Sequence, residues 1–164
     1  MDFDTSILSR LSSRVPRRAE KEKFSVFDLS QSLSEFLTEN FRGLAEVKAD
    51  INDLGYVMIS AEHFAYLVKL ILKQINGEMF LTFNISFDRK SLVMEIPFEK
   101  EIVLTLRERA NLCATASGAG LDIEILPNGI TLSAKSTARP PAIFIYTGGM
   151  QRLRRVLLDI FFGL

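Results

Sequence analysis

From Phe24 onward the apolar positions alternate between a helical and an extended period, and the changes of period mark out the elements. Leu29, Leu33, Phe36, Leu37 and Phe41 share one helical stripe, and Asp28-Leu-Ser-Gln31 before it reads as an N-cap with a Gln three residues on. Residues 46–51 alternate out and in as a strand, Asn52-Asp-Leu-Gly55 turns the chain, and 56–59 form a second short strand. Ser60 is placed to cap a helix whose Phe64, Leu67, Val68, Ile71, Leu72 and Ile75 make a packing face, with Asn76-Gly77 ending it. Two long strands, 79–87 and 91–98, show one buried face each and join at Asp88-Arg89-Lys90. A helix over 102–117 closed by Gly118 follows, then strands 121–126 and 130–135 around Pro127-Asn128-Gly129. Pro140-Pro141 interrupts, 142–146 reads as a further strand, and Gly148-Gly149 opens a last helix to Leu164. One-sided strands and matching helical stripes predict a two-layer α/β sandwich, a mixed sheet with its helices on one face. Phe64, Leu67, Val68, Ile71, Phe83, Ile85 and Leu106 are the expected core.

The two ends read differently. Residues 1–23 form an appendage in which Ile7, Leu8, Leu11 and Val15 recur at helical spacing until Pro16 stops them, followed by a mixed-charge linker. It either packs on its own domain or docks into a partner's groove. Residues 24–147 are the main domain, and 148–164 an amphipathic helix packed on it or extending it. Arg152, Arg154, Arg155, Phe161 and Phe162 give that helix a basic and apolar surface, a candidate site for a protein partner.

Composition narrows the chemistry. A 48% hydrophobic and 24% charged chain of 164 residues is the size and make-up of one folded domain. Twenty Lys and Arg balance twenty Asp and Glu, so no overall field recruits nucleic acid or an acidic membrane. A single Cys and a single His exclude an internal disulfide, a cysteine-built zinc site and every two-histidine metal site. The longest oily stretches, 67–75 and 156–162, fall short of the roughly 18 apolar residues a membrane helix needs, and no signal peptide opens the sequence. A cytoplasmic chain is the expectation.

The order of elements from Phe24 to Ser136 resembles the ATP-binding domain of sensor histidine kinases and their GHKL relatives. Ser25-Val-Phe-Asp-Leu-Ser-Gln-Ser-Leu-Ser-Glu-Phe-Leu37 is similar to the family's opening helix, and Ile59 to Ile75 to its second helix, reached from a short strand. Leu106 to Gly118, with Leu121-Asp-Ile-Glu-Ile-Leu-Pro-Asn-Gly-Ile-Thr-Leu132, is similar to its last helix and closing hairpin. The resemblance implies a nucleotide site with three parts: a metal-holding asparagine on the second helix, a DxGxG purine reader after a hairpin strand, and a Gly-rich lid before the last helix.

Each part is replaced here. Leu70 and Gln74 stand where the family has two asparagines four residues apart. Met94-Glu-Ile-Pro-Phe-Glu-Lys-Glu101, with Pro97 and Glu99 at the reader, has neither Asp nor Gly. Glu99-Lys100-Glu101 alone bridges strand and helix where the lid should be, and Gly118 and Gly120 fall after that helix as a C-cap and a turn. The chain is therefore expected to be a degenerate relative: a non-catalytic signalling or interaction module, without cofactor or metal, working through a protein partner. Two alternatives stay open, a nucleotide-binding enzyme with an unusual site and a phosphotransfer protein using His63, beside Glu62 at a helix start. Cys113 is expected as an inert buried thiol, and Glu95, Glu99 and Glu101 as solvated strand-end charges.

Overall fold

The computed structural model describes residues 6–17, 20–75, 79–137 and 149–164. The expected Asn76-Gly77 helix end and the strand over 142–146 lie outside them. Among the described residues seven strands and four helices follow one another as β1 (Glu22–Ser25), α1 (Val26–Asn40), β2 (Ala45–Ile51), β3 (Tyr56–Ile59), α2 (Ala61–Ile75), β4 (Leu81–Phe87), β5 (Ser91–Pro97), α3 (Leu106–Ala119), β6 (Asp122–Leu126), β7 (Gly129–Lys135) and α4 (Gly149–Phe162). A 3-10 turn, Ser6–Arg10, precedes them.

Five strands form one mixed sheet in the order β2-β4-β5-β7-β6, parallel only between β2 and β4. The register aligns Ile85, Met94, Leu132 and Ile123 in one row across four strands, and Phe87, Leu92 and Ala134 in the next. Because side chains alternate along a strand, these rows put the apolar set on a single face. That face carries the helices, giving the expected two-layer α/β sandwich. Phe64, Leu67, Val68, Ile71, Phe83 and Ile85 are all buried there.

Local chemistry fixes the boundaries. Ser25, not Asp28, is the N-cap of α1, its hydroxyl accepting from the Asp28 amide at 2.9 Å. That residue also ends β1, which pairs antiparallel with β3 and was not expected within the 1–23 appendage. Asp88 holds the β4–β5 turn by accepting from the amides of Ser91 (2.9 Å) and Lys90 (3.0 Å), which keeps its carboxyl below the usual range. The helix α3 starts at Leu106 and not at Ile102, and its left-handed C-cap is Gly120 (φ 88°). Gly118 is inside the helix; a Cβ there would strike the His63 ring.

Two core assignments on α3 are corrected. Leu106 is 87% exposed and Cys113 is exposed. The buried face of α3 consists of Leu112, Thr115, Ala116 and Ala119, and positions 106, 110 and 113 turn away from it. Truncation should separate the two groups in urea denaturation: Phe83→Ala loses about 3–5 kcal/mol, whereas Leu106→Ala stays within about 0.5 kcal/mol of the natural chain.

Candidate functional site

The helix α2 occupies the position from which the resemblance implies a metal ligand, and it has almost no free surface. Of its residues Ala61–Ile75, only Lys73 is exposed. The sheet lies under one side, α3 packs along another, and α4 with residues 8–14 covers a third. Leu70 is 8% exposed. Gln74 is half-buried, and its Oε1 is enclosed without a hydrogen-bond partner among the described residues. An amide oxygen without a partner could in principle accept from a ligand, but its helical neighbour one turn back is the apolar Leu70.

Enclosure forces Lys69 inside as well, at 3% exposure. Its Nζ donates to the carbonyls of Arg14 (2.8 Å), Ile160 (2.9 Å) and Ser12 (3.1 Å), and sits 5.0 Å from the centre of the Tyr66 ring. All three protons of the ammonium thus have acceptors, one of them at the negative end of α4. Among the described residues no carboxylate joins the set. Burial, with the like charge of Lys73 adding to it, pushes the Lys69 ammonium down to about 8.

The segment between β5 and α3, residues 98–105, is longer than the three-residue bridge expected. It runs beside the β6–β7 turn, with Phe98 N donating to Asn128 O (2.8 Å) and Ile102 N to Pro127 O (2.9 Å). Pro97 ends β5, Glu99 lies on this path, and both are exposed. The segment ends in a capping box: the Glu108 amide donates to Thr105 Oγ1 (3.1 Å) and the Thr105 amide to Glu108 Oε1 (2.9 Å). Two amides at this helix start, those of Thr105 and Glu108, already serve the chain's own side chains, and one acceptor there is a carboxylate. The T-x-x-E signature was present in the sequence at Thr105-Leu-Arg-Glu108 and is what sets the true start of α3.

Two large clefts open among the described residues. The open cleft of about 570 Å³ is lined by Asn52, Asp53, Tyr56, Phe87, Arg89 and Thr137 among others, at the turn end of the sheet. A second, of about 440 Å³, is lined by residues 20–22, Ser60, Ala61, Glu62 and Arg152. Neither contains Leu70, Gln74, Pro97 or Glu99.

Five of the remaining candidates have internal partners. His63 Nδ1 lies 3.0 Å from Ser60 Oγ, and its ring packs on Gly118. Phe161 is buried and meets Phe36 edge-on at 4.7 Å, while half-buried Phe162 stacks on Phe41 at 6.3 Å. Arg152 pairs with Glu22, and Arg154 with Glu35 and Glu39. Arg155 is exposed, as are Glu95 and Glu101. Among the described residues no cluster of three or more His, Cys, Asp or Glu side chains could hold a metal, and no helix is long and apolar enough to cross a membrane.

No family model matches this chain, and no curated protein sequence matches it. Solved structures do. Histidine kinases are among the solved structures it is similar to. The cytoplasmic segment of histidine kinase QseC aligns at 9% identity and a TM-score of 0.42, over 72% of this chain and 74% of that one. Histidine kinase AdeS of Acinetobacter baumannii aligns at 11% identity and 0.46, over 81% and 73%. The catalytic domain of histidine kinase ThkA aligns at 12% identity and 0.43, over 71% of this chain and 96% of its own length. The fold itself is assigned from the strand order and register given above.

Two consequences of this geometry are measurable. Thr105→Ala should cost about 0.5–2 kcal/mol by removing the α3 cap. Between pH 8 and 10.5 the unfolded chain keeps the Lys69 proton that the folded chain has released, so stability from this group rises with pH across that window and is flat below it. Nitrogen-detected NMR of the lysine ammonium should show a midpoint near 8. In Lys69→Met the rise in stability should disappear.

Proposed function

We propose that this chain is a non-catalytic signalling module on the fold of a histidine kinase ATP-binding domain, and that it works through protein contacts without nucleotide. The observation that carries the reading is the enclosure of α2. A nucleotide site on this fold needs the second helix to present a metal ligand to an open cavity. Here the equivalent surface is Leu70 and a half-covered Gln74, beneath neighbours that already use it.

Two further features support the reading. The α3 N-terminus is neutralised by Glu108, whose carboxylate would repel a phosphate. The 98–105 segment is tied to the β6–β7 turn in the place of a mobile lid. Phosphotransfer through His63 fits less well, because its Nδ1 and ring are engaged with Ser60 and Gly118. A protein partner is the remaining class, since zero net charge gives no general attraction to nucleic acid.

The test is calorimetry with Mg-ATP at low salt. Each charge-assisted contact is worth roughly 1.5–3 kcal/mol, so loss at the reader, the metal bridge and the cradle lowers affinity by several powers of ten. The expected result is no saturable heat at millimolar nucleotide. Saturable micromolar binding overturns the proposal and restores an enzyme.

A further inference from the structure

Two large apolar side chains stand almost free in solvent, Val103 at 90% exposure and Leu106 at 87%. The Ile102 amide donates to the Pro127 carbonyl at 2.9 Å, which sets this stretch against the end of β6, where Leu126 is 47% exposed. The backbone beneath them is fixed. Ile102 and Leu104 are half-buried and pack on the core, so the alternation of an extended chain turns Val103 outward. The capping box of Thr105 and Glu108 then starts α3 with Leu106 on the side away from Leu112, Ala116 and Ala119. An apolar patch held outward on a fixed backbone is the mark of a protein contact.

The charges flanking the patch are ordered. Glu99-Lys100-Glu101 precede it and Arg107-Glu108-Arg109 follow it. Glu99, Glu101, Arg107 and Arg109 are exposed and enter no ion pair among the described residues, whereas Arg14, Arg89, Arg152 and Arg154 each do. Read forwards from Glu99 the signs are minus, plus, minus. Read backwards from Arg109 they are plus, minus, plus. The stretch 99–109 is therefore its own complement in reverse, with the apolar residues at its centre.

We propose that this patch is the contact between two copies of the chain, related by a two-fold axis through it. Such an axis reverses the stretch in the second copy, so that Glu99 and Glu101 of each copy meet Arg109 and Arg107 of the other around the paired apolar centres. A partner carrying one sign of charge would be repelled at one end of the patch. A second copy satisfies both ends at once. Three apolar side chains make a contact smaller than the roughly 1,200–2,000 Å² of a tight complex, so the dimer is weak and sensitive to salt. Self-association and the loss of nucleotide stand apart: sedimentation decides the first and calorimetry with Mg-ATP the second.

Sedimentation of the full chain at low salt, from about 10 μM to about 1 mM, should show a dimer that grows with concentration and recedes as salt is added. Charge exchange identifies the face. Glu99→Arg with Glu101→Arg, and in a separate chain Arg107→Glu with Arg109→Glu, each set like charges across the axis, and each variant alone should dissociate about tenfold more readily or more. Mixed in equal amounts, the two variants present opposite charges at both ends, and a heterodimer at least as tight as the natural dimer should form. All four positions are exposed and lie outside the Thr105–Glu108 box, so both variants should keep the circular dichroism of the natural chain. Leu106→Ala should weaken the dimer while leaving the urea midpoint of the dilute chain in place. A natural chain that stays monomeric to about 1 mM overturns the proposal. So does a dimer that either charge variant leaves intact, or a mixture of the two that forms no heterodimer. Should a charge variant fail to fold, the natural chain and Leu106→Ala decide the matter.

Discussion

Everything in the helical layer is constrained by the burial of α2 on nearly every side. A helix on a sheet ordinarily keeps one face for water, and its polar residues go there. With only Lys73 left exposed, α2 has to settle Lys69 within the protein. A buried ammonium without acceptors would be far more costly than the packing it interrupts, so three carbonyls converge on it. Two of those carbonyls come from the N-terminal strap and one from the end of α4. One side chain in the middle of the sequence thereby fastens segments from both ends of it.

The same constraint shapes what the molecule can do. The four-phenylalanine cluster of Phe36, Phe41, Phe161 and Phe162 seats α4 against α1, and α4 in turn roofs α2. On the far side, His63 and Gly118 bring α3 in closely. Among the large apolar residues that stay outward are two at the start of α3 and just before it, Val103 at 90% exposure and Leu106 at 87%.

The sheet and its helices were legible because period-two alternation survives in Leu81, Phe83, Ile85 and Phe87, and because the α2 and α4 stripes are wide. Elements with little apolar content were not. Glu22-Lys-Phe-Ser25 has one apolar residue, and only pairing with β3 makes it a strand. Leu106 and Cys113 lie seven apart and suggest a common inward face, but the face is decided by Leu112, Ala116 and Ala119, whose small side chains let α3 approach α2. Both missed caps, Ser25 with Asp28 and Thr105 with Glu108, were written in the sequence as short polar signatures. The role of Lys69 was not written anywhere. A lysine within an apolar helix reads as a solvent-facing residue, and its acceptors are 55, 57 and 91 positions away.

The proposed function requires that α2 have no open face. Thiol accessibility measures this directly in a Cys113→Ser background that carries Leu70→Cys or, as the exposed reference, Lys73→Cys. Under native conditions the Lys73→Cys thiol should react at the rate of a free thiol. The Leu70→Cys thiol should react only through opening of the helical layer, slower by orders of magnitude and faster as denaturant is added. Equal rates at the two positions in native buffer would contradict the account, because they would mean that α2 faces an open cavity.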